Sequence, residues 1–216
     1  LDKIREILKS CIDIPFSEDR YGFLKQIDPE PFKYTAEYKN KQSTNNAMSW
    51  LRLGWLSAQI PFDQIKKFNT VDIGSGNGIF VNEGRSVFKR IVPYDLTGES
   101  ISETELYSTA WDLVVMSDVL EHYHNIDDFW TLSFQYAMVS FPETPRSRMN
   151  LEHWRHYKPN EHIYMLNTNS FIDWVKNHGC SVVAYGTPED MIRCRWDDAQ
   201  PNITTFLIKR DAVICD

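Results

Sequence analysis

The stretch that decides the fold is TVDIGSGNGIF, Thr70 to Phe80. An apolar run leads into three glycines on alternate positions, Gly74, Gly76 and Gly78, and Ile79 and Phe80 lead out. This is the pattern of a buried strand that turns sharply and opens a helix. Glycine accepts positive φ and lets a ligand lie against the backbone. The first turn of a helix presents unbonded N–H groups. Dinucleotides, nucleoside triphosphates and sulfonium nucleosides all use such turns. A triphosphate loop ends in Gly-Lys-Ser/Thr, and this one does not. A dinucleotide fingerprint needs glycine at its first, third and sixth places; the sixth place here is Ile79. Asp72 lies inside the strand, two residues before Gly74. A carboxylate there repels a pyrophosphate and suits a ligand that carries an ammonium group.

Outward from the loop, KRIVPYD (residues 89–95) reads as the next strand and ends in Asp95, 21 residues past Gly74. In a doubly wound sheet that carboxylate stands beside the first loop, where it can accept bonds from both ribose hydroxyls. WDLVVM (111–116) and YAMVSF (136–141) read as further strands, and CSVVAYG (180–186) with NITTFLIKR (202–210) as a closing antiparallel pair. Helices are expected over 79–87, near DDFWTLSF (127–134), and over NTNSFIDWVKNHG (167–179), which Asn or Ser caps and Gly179 closes. Strands alternating with helices imply a mainly parallel sheet covered on both faces.

The first third differs. LDKIREILKS (1–10) has a helical apolar face. Residues 14–42 carry three prolines and many aromatics (among them Phe16, Tyr21, Phe23, Phe32, Tyr34 and Tyr38), and read as a partly irregular lid. A helix follows over 43–60, capped by Ser43, Thr44 or Asn45, with Met48, Leu51 and Trp55 on its apolar side and Pro61 ending it. Two regions are therefore expected, a helical lid over 1–66 and a nucleoside-binding core over 67–216, packed as one compact domain.

The 216 residues are 42% hydrophobic with net charge −7 and a pI near 5.4. That balance gives no overall attraction to nucleic acid or to an anionic membrane. Cys11, Cys180, Cys194 and Cys215 form no C-x-x-C pair, which fits a reducing, cytoplasmic setting. No apolar run approaches the ~20 residues of a membrane span. The chain starts at Leu1, as a trimmed chain would, and nothing present reads as a signal peptide. The expected partners are a small molecule, no nucleic acid and no membrane, in a monomer or homodimer.

VDIGSGNGIF (71–80), PYD (93–95) and WDLVVMSDVLEHYHNIDDF (111–129) resemble the first, second and fourth motifs of class I S-adenosylmethionine-dependent methyltransferases. The version is similar to that of small-molecule methyltransferases of the ubiquinone-biosynthesis type. The resemblance implies an α/β, Rossmann-like, doubly wound fold: a mostly parallel seven-stranded sheet with an antiparallel last strand, plus an N-terminal lid. Asp112 follows Asp95 by only 17 residues, so the third-strand region is expected to be reduced. The resemblance also assigns roles. Asp72 and the backbone of Gly74, Ser75 and Gly76 would hold the methionine end, and Gly78 would allow close approach. Asp95 would bind the ribose, with Tyr94 and Leu96 flanking the adenine. Glu105, Leu106 or Tyr107 would stand in for the missing adenine contact. Ser117, Asp118 and Val119 would floor the sulfonium. Tyr38 and Arg52 are candidates to reach the cofactor carboxylate from the lid, a solvated side chain being the ordinary alternative for Arg52.

The acceptor side points to NLEHWRHYKPNEHIYMLN (150–167), where His153, His156 and His162 crowd together among tyrosines and basic residues. With His122 and His124, five of the six histidines are placed on one rim. His122, His156 and His162 are the catalytic candidates, as general bases with pKa values near neutrality. A polar loop whose histidines bond the backbone is the competing reading. The spacing matches no standard metal motif, and no metal is expected. Glu121 and His122 could equally just finish a helical turn, and Asp112 reads as a turn or capping residue. Amino-directed and C5-directed nucleic acid methylation motifs are absent. The expected activity is methyl transfer to an O, N or C atom of a small molecule. The rivals are a nicotinamide-dependent oxidoreductase and a non-catalytic binding module of the same fold.

Overall fold

A computed structural model describes residues 16–35, 46–97, 100–145, 151, 154–193 and 202–211. The expected first helix, the candidate caps Ser43 to Asn45, Tyr38 and His153 lie outside the described residues. The strands are β1 (Phe16–Glu18), β2 (Leu24–Gln26), β3 (Asn69–Ile73), β4 (Arg90–Tyr94), β5 (Trp111–Ser117), β6 (Phe134–Pro142), β7 (Tyr164–Met165), β8 (Cys180–Gly186) and β9 (Ile203–Arg210). The helices are α1 (Asn46–Gln59), α2 (Phe62–Ile65), α3 (Ile79–Gly84), α4 (Glu103–Ser108), α5 (Thr168–Asn177) and α6 (Asp190–Arg193). Among the described residues no helix is long and apolar enough to cross a membrane.

The main sheet runs β4-β3-β5-β6-β9-β8. Its first four strands are parallel, and β9 lies antiparallel to both β6 and β8. The sequence predicts seven strands; the sheet has six among the described residues. The difference lies after Asp95, where the short chain forms only α4 before β5 begins. Ser102 caps α4 by accepting the Glu105 N–H, and β4 is left as an edge strand, the place where a sheet tolerates Pro93. The predicted helix over 79–87 stops at Gly84, and residues 126–131 wind as a 3-10 rather than an α-helical segment.

Strand periodicity sorts the core. Val114 and Met116 of β5 join Val71, Ile73, Val139 and, from α5, Phe171 and Trp174. Leu113 and Val115 join Tyr136 and Met138 with Leu53 and Leu56 of α1 and Phe80 of α3. Each such side chain withdrawn from water contributes about 1.5–3 kcal/mol. One consequence positions the site. With Val71 and Ile73 facing α5, Asp72 must face the α1 side.

Helix α1 differs from its predicted face. Met48, Ser49, Arg52, Leu53 and Leu56 are buried, whereas Leu51 and Trp55 are only half-buried and Trp50 is 49% exposed. The buried stripe is rotated so that a cation, Arg52, points inward. The described part of the lid is partly irregular, as expected: residues 27–35 form no helix or strand, but two short strands precede them. β1 and β2 form a hairpin, and β2 pairs antiparallel with β7 through Leu24–Met165 and Lys25–Tyr164. Phe23 is fully buried in the main core against Trp174. The N-terminal segment and the histidine-rich segment are thus two parts of one small sheet.

Candidate active site

The strand register brings the motifs to one edge. Ile73 lies beside Tyr94 on one side and Met116 on the other. Gly74, Asp95 and Ser117, the next residue in each case or the strand's last, therefore meet at the carboxyl ends of β3, β4 and β5, where open α/β sheets hold ligands.

Gly74, Gly76 and Gly78 have φ of 70°, 54° and 74°. A side chain at any of them would be strained. A Cβ on Gly74 would also collide with Val119 Cγ2 at 2.3 Å, so Val119 packs against the loop. A Cβ on Gly78 would meet nothing within 4 Å, and one on Gly76 only the Gly74 carbonyl at 4.0 Å. The outer surface of the turn is a concave, uncovered shelf. Its N–H groups are not all free, contrary to the expectation from the helix start. Gly74 N–H donates to the Tyr94 carbonyl (2.8 Å) and Gly76 N–H to Asp95 Oδ2 (2.8 Å).

Asp95 is half-buried and already well used. Its Oδ1 accepts from the N–H and hydroxyl of Thr97 (2.8 and 2.9 Å). Two carboxylate oxygens offer about four acceptor positions, so one remains. The carboxylate is held rigidly between the two loops it bridges. Tyr94 is half-buried, and Leu96 is 78% exposed, an apolar side chain projecting beside the shelf. Leu106 is buried in the core and Glu105 pairs with Arg90, which leaves Tyr107, 43% exposed, as the open one of the three substitute adenine contacts.

Asp72 is 4% exposed. Burial pushes its carboxyl up to about 7, opposed by the charge of Arg52 and assisted by that of Asp95. Arg52 is not solvated; it is 5% exposed and donates from Nε (2.8 Å) and Nη2 (2.7 Å) to Glu189 Oε1. Burial alone would lower its pKa, but Glu189 and Asp118 more than offset that. Ser140 Oγ, at the end of β6, also reaches Glu189 (3.4 Å). Glu189 follows β8, and nothing in its sequence context marks it as the partner of Arg52. Asp118 adopts φ 53°, sparsely populated for a non-glycine residue, while its N–H donates to the Ser140 carbonyl (2.9 Å). Asp112 accepts the Asn69 N–H (2.7 Å), a structural bond at the other end of the sheet.

The acceptor side is assembled from three segments. Glu121 and His122 sit on a 3-10 turn, Leu120–His122, directly after Asp118. His162 comes from the histidine-rich segment, its ring 4.8 Å from that of His122 and nearly perpendicular. Tyr34 comes from the N-terminal segment, with its hydroxyl 3.1 Å from His122 Nδ1. The same Nδ1 lies 2.8 Å from the Glu161 carbonyl. A carbonyl only accepts, so Nδ1 carries the proton and Nε2 presents its lone pair. Burial lowers the pKa of His122, and burial with neighbouring His122 and Lys158 pushes His162 down to about 2. Tyr34 is pushed up to about 12 by burial and by the charges of Glu161, Glu121 and Asp95. Tyr34 thus contacts His122 while the Asp95 charge acts on its hydroxyl.

Of the five histidines expected on one rim, His153 lies outside the described residues. His122 and His162 meet. His156 lies behind them, its Nε2 engaged with Arg155 Nε and Asn202 Oδ1, each at 2.8 Å. His124 is exposed, and His178 stacks on Trp130 away from the site.

No curated protein matches the sequence. Solved structures with the same fold are numerous. Magnesium protoporphyrin IX methyltransferase from Synechocystis PCC 6803, with bound S-adenosylhomocysteine, superposes with TM-score 0.55 at 12% identity over 84% of this chain and 90% of that one. A SAM-dependent methyltransferase from Archaeoglobus fulgidus gives 0.56 at 14% over 82% and 100%. A putative RNA methyltransferase from Pyrococcus horikoshii gives 0.52 at 12% over 86% and 95%. Residues 32–185 match the methyltransferase domain family. The loop, the carboxylate that follows it and the aligned motif residues fall within that match, and the chain belongs to the class I S-adenosylmethionine-dependent methyltransferases.

Proposed function

We propose that this enzyme methylates an O, N or C atom of a small molecule in the space between the glycine shelf and the Glu121–His122–His162 cluster. The observation that carries the reading is the position of Tyr34. It joins the loop carboxylate Asp95 electrostatically to the cluster and closes the acceptor side with protein. Bound S-adenosylmethionine supplies a methyl group on a cationic sulfur, open to in-line attack by a nucleophile. The residues fit this group. Asp72 and the carbonyls of Gly74, Ser75 and Gly76 suit its ammonium end, and the uncovered faces of Gly76 and Gly78 give it room. The spare acceptor position of Asp95 suits a ribose hydroxyl, with Tyr94 and Leu96 flanking the base. Ser117, Asp118 and Val119 form the floor. Arg52 acts through Asp72, keeping that buried carboxyl closer to ionisation.

Two features favour a small acceptor over a nucleic acid. Asp118, Glu121 and Glu161 surround the acceptor side with carboxylates, opposed chiefly by Lys158. Polyphosphate backbones are repelled there, and their binding depends on basic contacts. Partly buried Tyr34, with exposed Phe32 packed edge-on against it, adds aromatic surface beside the cluster. His122 and His162 handle the acceptor atom, and His156 positions its own segment. A methyl-labelled donor incubated with the protein and a fractionated cell extract tests this. Label should appear in the small-molecule fraction and disappear with Asp95→Ala. Label in RNA alone would overturn the acceptor assignment.

A further inference from the structure

Among the described residues, no other residue hydrogen-bonds either carboxylate oxygen of Glu121, although it is 1% exposed; only its own backbone N–H acts on it as a donor. The nearest basic atom given for it, His122 Nε2, is 3.9 Å from Oε1, beyond hydrogen-bond reach. A buried carboxylate without a partner is costly, and proteins ordinarily pair it or give it a metal. Around it, Asp118 and Glu161 add negative charge while Lys158 is spent on Glu161 at 2.9 Å. A bound cation would balance this arrangement.

We propose that Glu121, His122 and His162 bind a divalent transition-metal cation such as zinc or cobalt(II), leaving coordination positions open to an acceptor oxygen or nitrogen. One ligand atom from each of the three lies within 4.8 Å of the others. Ligands on one tetrahedral ion stand about 3.4 Å apart, so the set must draw in by roughly 1 Å. The tautomer of His122 fits: its Nδ1–H is fixed by the Glu161 carbonyl, the usual outer-shell arrangement of a metal-bound imidazole, and Nε2 is left to the ion. The His162 ring is likewise held by the backbone of His156. Two imidazoles and one carboxylate suit zinc and other first-row cations better than magnesium or calcium. Such an ion would polarise an acceptor hydroxyl or amine and hold it toward the methyl group. The metal site stands on its own geometry, whereas this use of it rests on the methyltransferase reading.

The test is cobalt(II) titration of the chelator-stripped full chain, followed by visible absorption and calorimetry, with S-adenosylhomocysteine titrated in parallel. One cobalt per chain with a tetrahedral or five-coordinate spectrum is expected. Glu121→Gln and His162→Gln should each weaken cobalt binding at least tenfold and leave S-adenosylhomocysteine affinity unchanged. Wild type that binds S-adenosylhomocysteine but no cobalt overturns the site, as does equal cobalt affinity in the variants. Cobalt binding without nucleoside binding supports the site and strikes only at its proposed use.

Discussion

The two halves of the cleft are built on opposite plans. The proposed donor half comes from consecutive residues at three neighbouring strand ends: Asp72 to Gly78, Tyr94 to Leu96 and Ser117 to Val119. Backbone does much of the work, so few side chains need to converge. The acceptor half draws Tyr34, Glu121, His122 and His162 from three segments held together by β2 pairing with β7 and by the core under the 3-10 turn. Its polar groups are buried and poorly balanced in charge. The donor half is stable architecture with a shelf on it; the acceptor half holds unfavourable burial in place for chemistry.

The largest effect expected lies beneath the donor half. Arg52 and Glu189 form a buried pair, and breaking one partner leaves a charge in the core. Glu189→Ala should cost about 3–5 kcal/mol in chemical denaturation. Replacing both residues by methionine should recover most of the loss, because the pair's attraction mainly repays its own desolvation. If the double variant is as unstable as the single one, the pair is not an isolated unit and Asp72 or Asp118 depends on it.

Next comes Asp72. Its folded pKa of about 7 lies above the ordinary carboxyl value. The sign follows from linkage: its contribution to stability is fully present below pH ~4 and is lost as pH rises through about 7. The ligand-free protein should therefore lose on the order of 3–4 kcal/mol from this group between pH 4 and pH 8. Asp72→Asn should flatten that slope, measured as the difference between wild type and variant across pH, and should weaken binding of the ammonium-bearing donor. An identical slope in the variant would place the titration elsewhere.

Asp95→Ala is expected to be intermediate. It removes the acceptor for the Gly76 N–H and the proposed ribose contact. Hydrogen bonds to a charged group contribute about 1.5–3 kcal/mol, so S-adenosylhomocysteine affinity should drop roughly tenfold to a hundredfold by calorimetry. Unchanged affinity would mean that the ribose lies elsewhere.

The same contrast explains what was legible in the sequence. Gly74, Gly76 and Gly78 announce positive φ, and Asp95 follows at the spacing that strand register demands, so the geometry of the loop and of the strand end beside it was legible in the sequence. The missing third strand was visible in the short run from Asp95 to Trp111. Arg52 was not. Helical periodicity points Leu51 and Trp55 inward, but the buried stripe turns toward Arg52 because Glu189, far along the chain, supplies its counter-charge. Glu121 and His122 read as the end of a turn, which they are, and only the fold brings His162 to them. No local spacing rule detects a ligand set divided between the end of β5 and the segment before β7.

The smallest effect tests the boundary between the halves. The charges of Glu161, Glu121 and Asp95 all act on the Tyr34 hydroxyl. Tyr34→Phe keeps the ring against Phe32 and His122 and deletes the hydroxyl, including its 3.1 Å contact with Nδ1. A neutral hydrogen bond is worth about 0.5–1.5 kcal/mol. Because the Glu161 carbonyl still holds the Nδ1–H, His122 should keep its tautomer, and the loss should stay near the lower figure. The variant should therefore raise the acceptor KM by a few-fold and leave donor affinity within twofold. If donor affinity falls instead, Tyr34 belongs to the nucleoside shelf, and the cleft has one continuous wall in place of two halves that meet at a tyrosine.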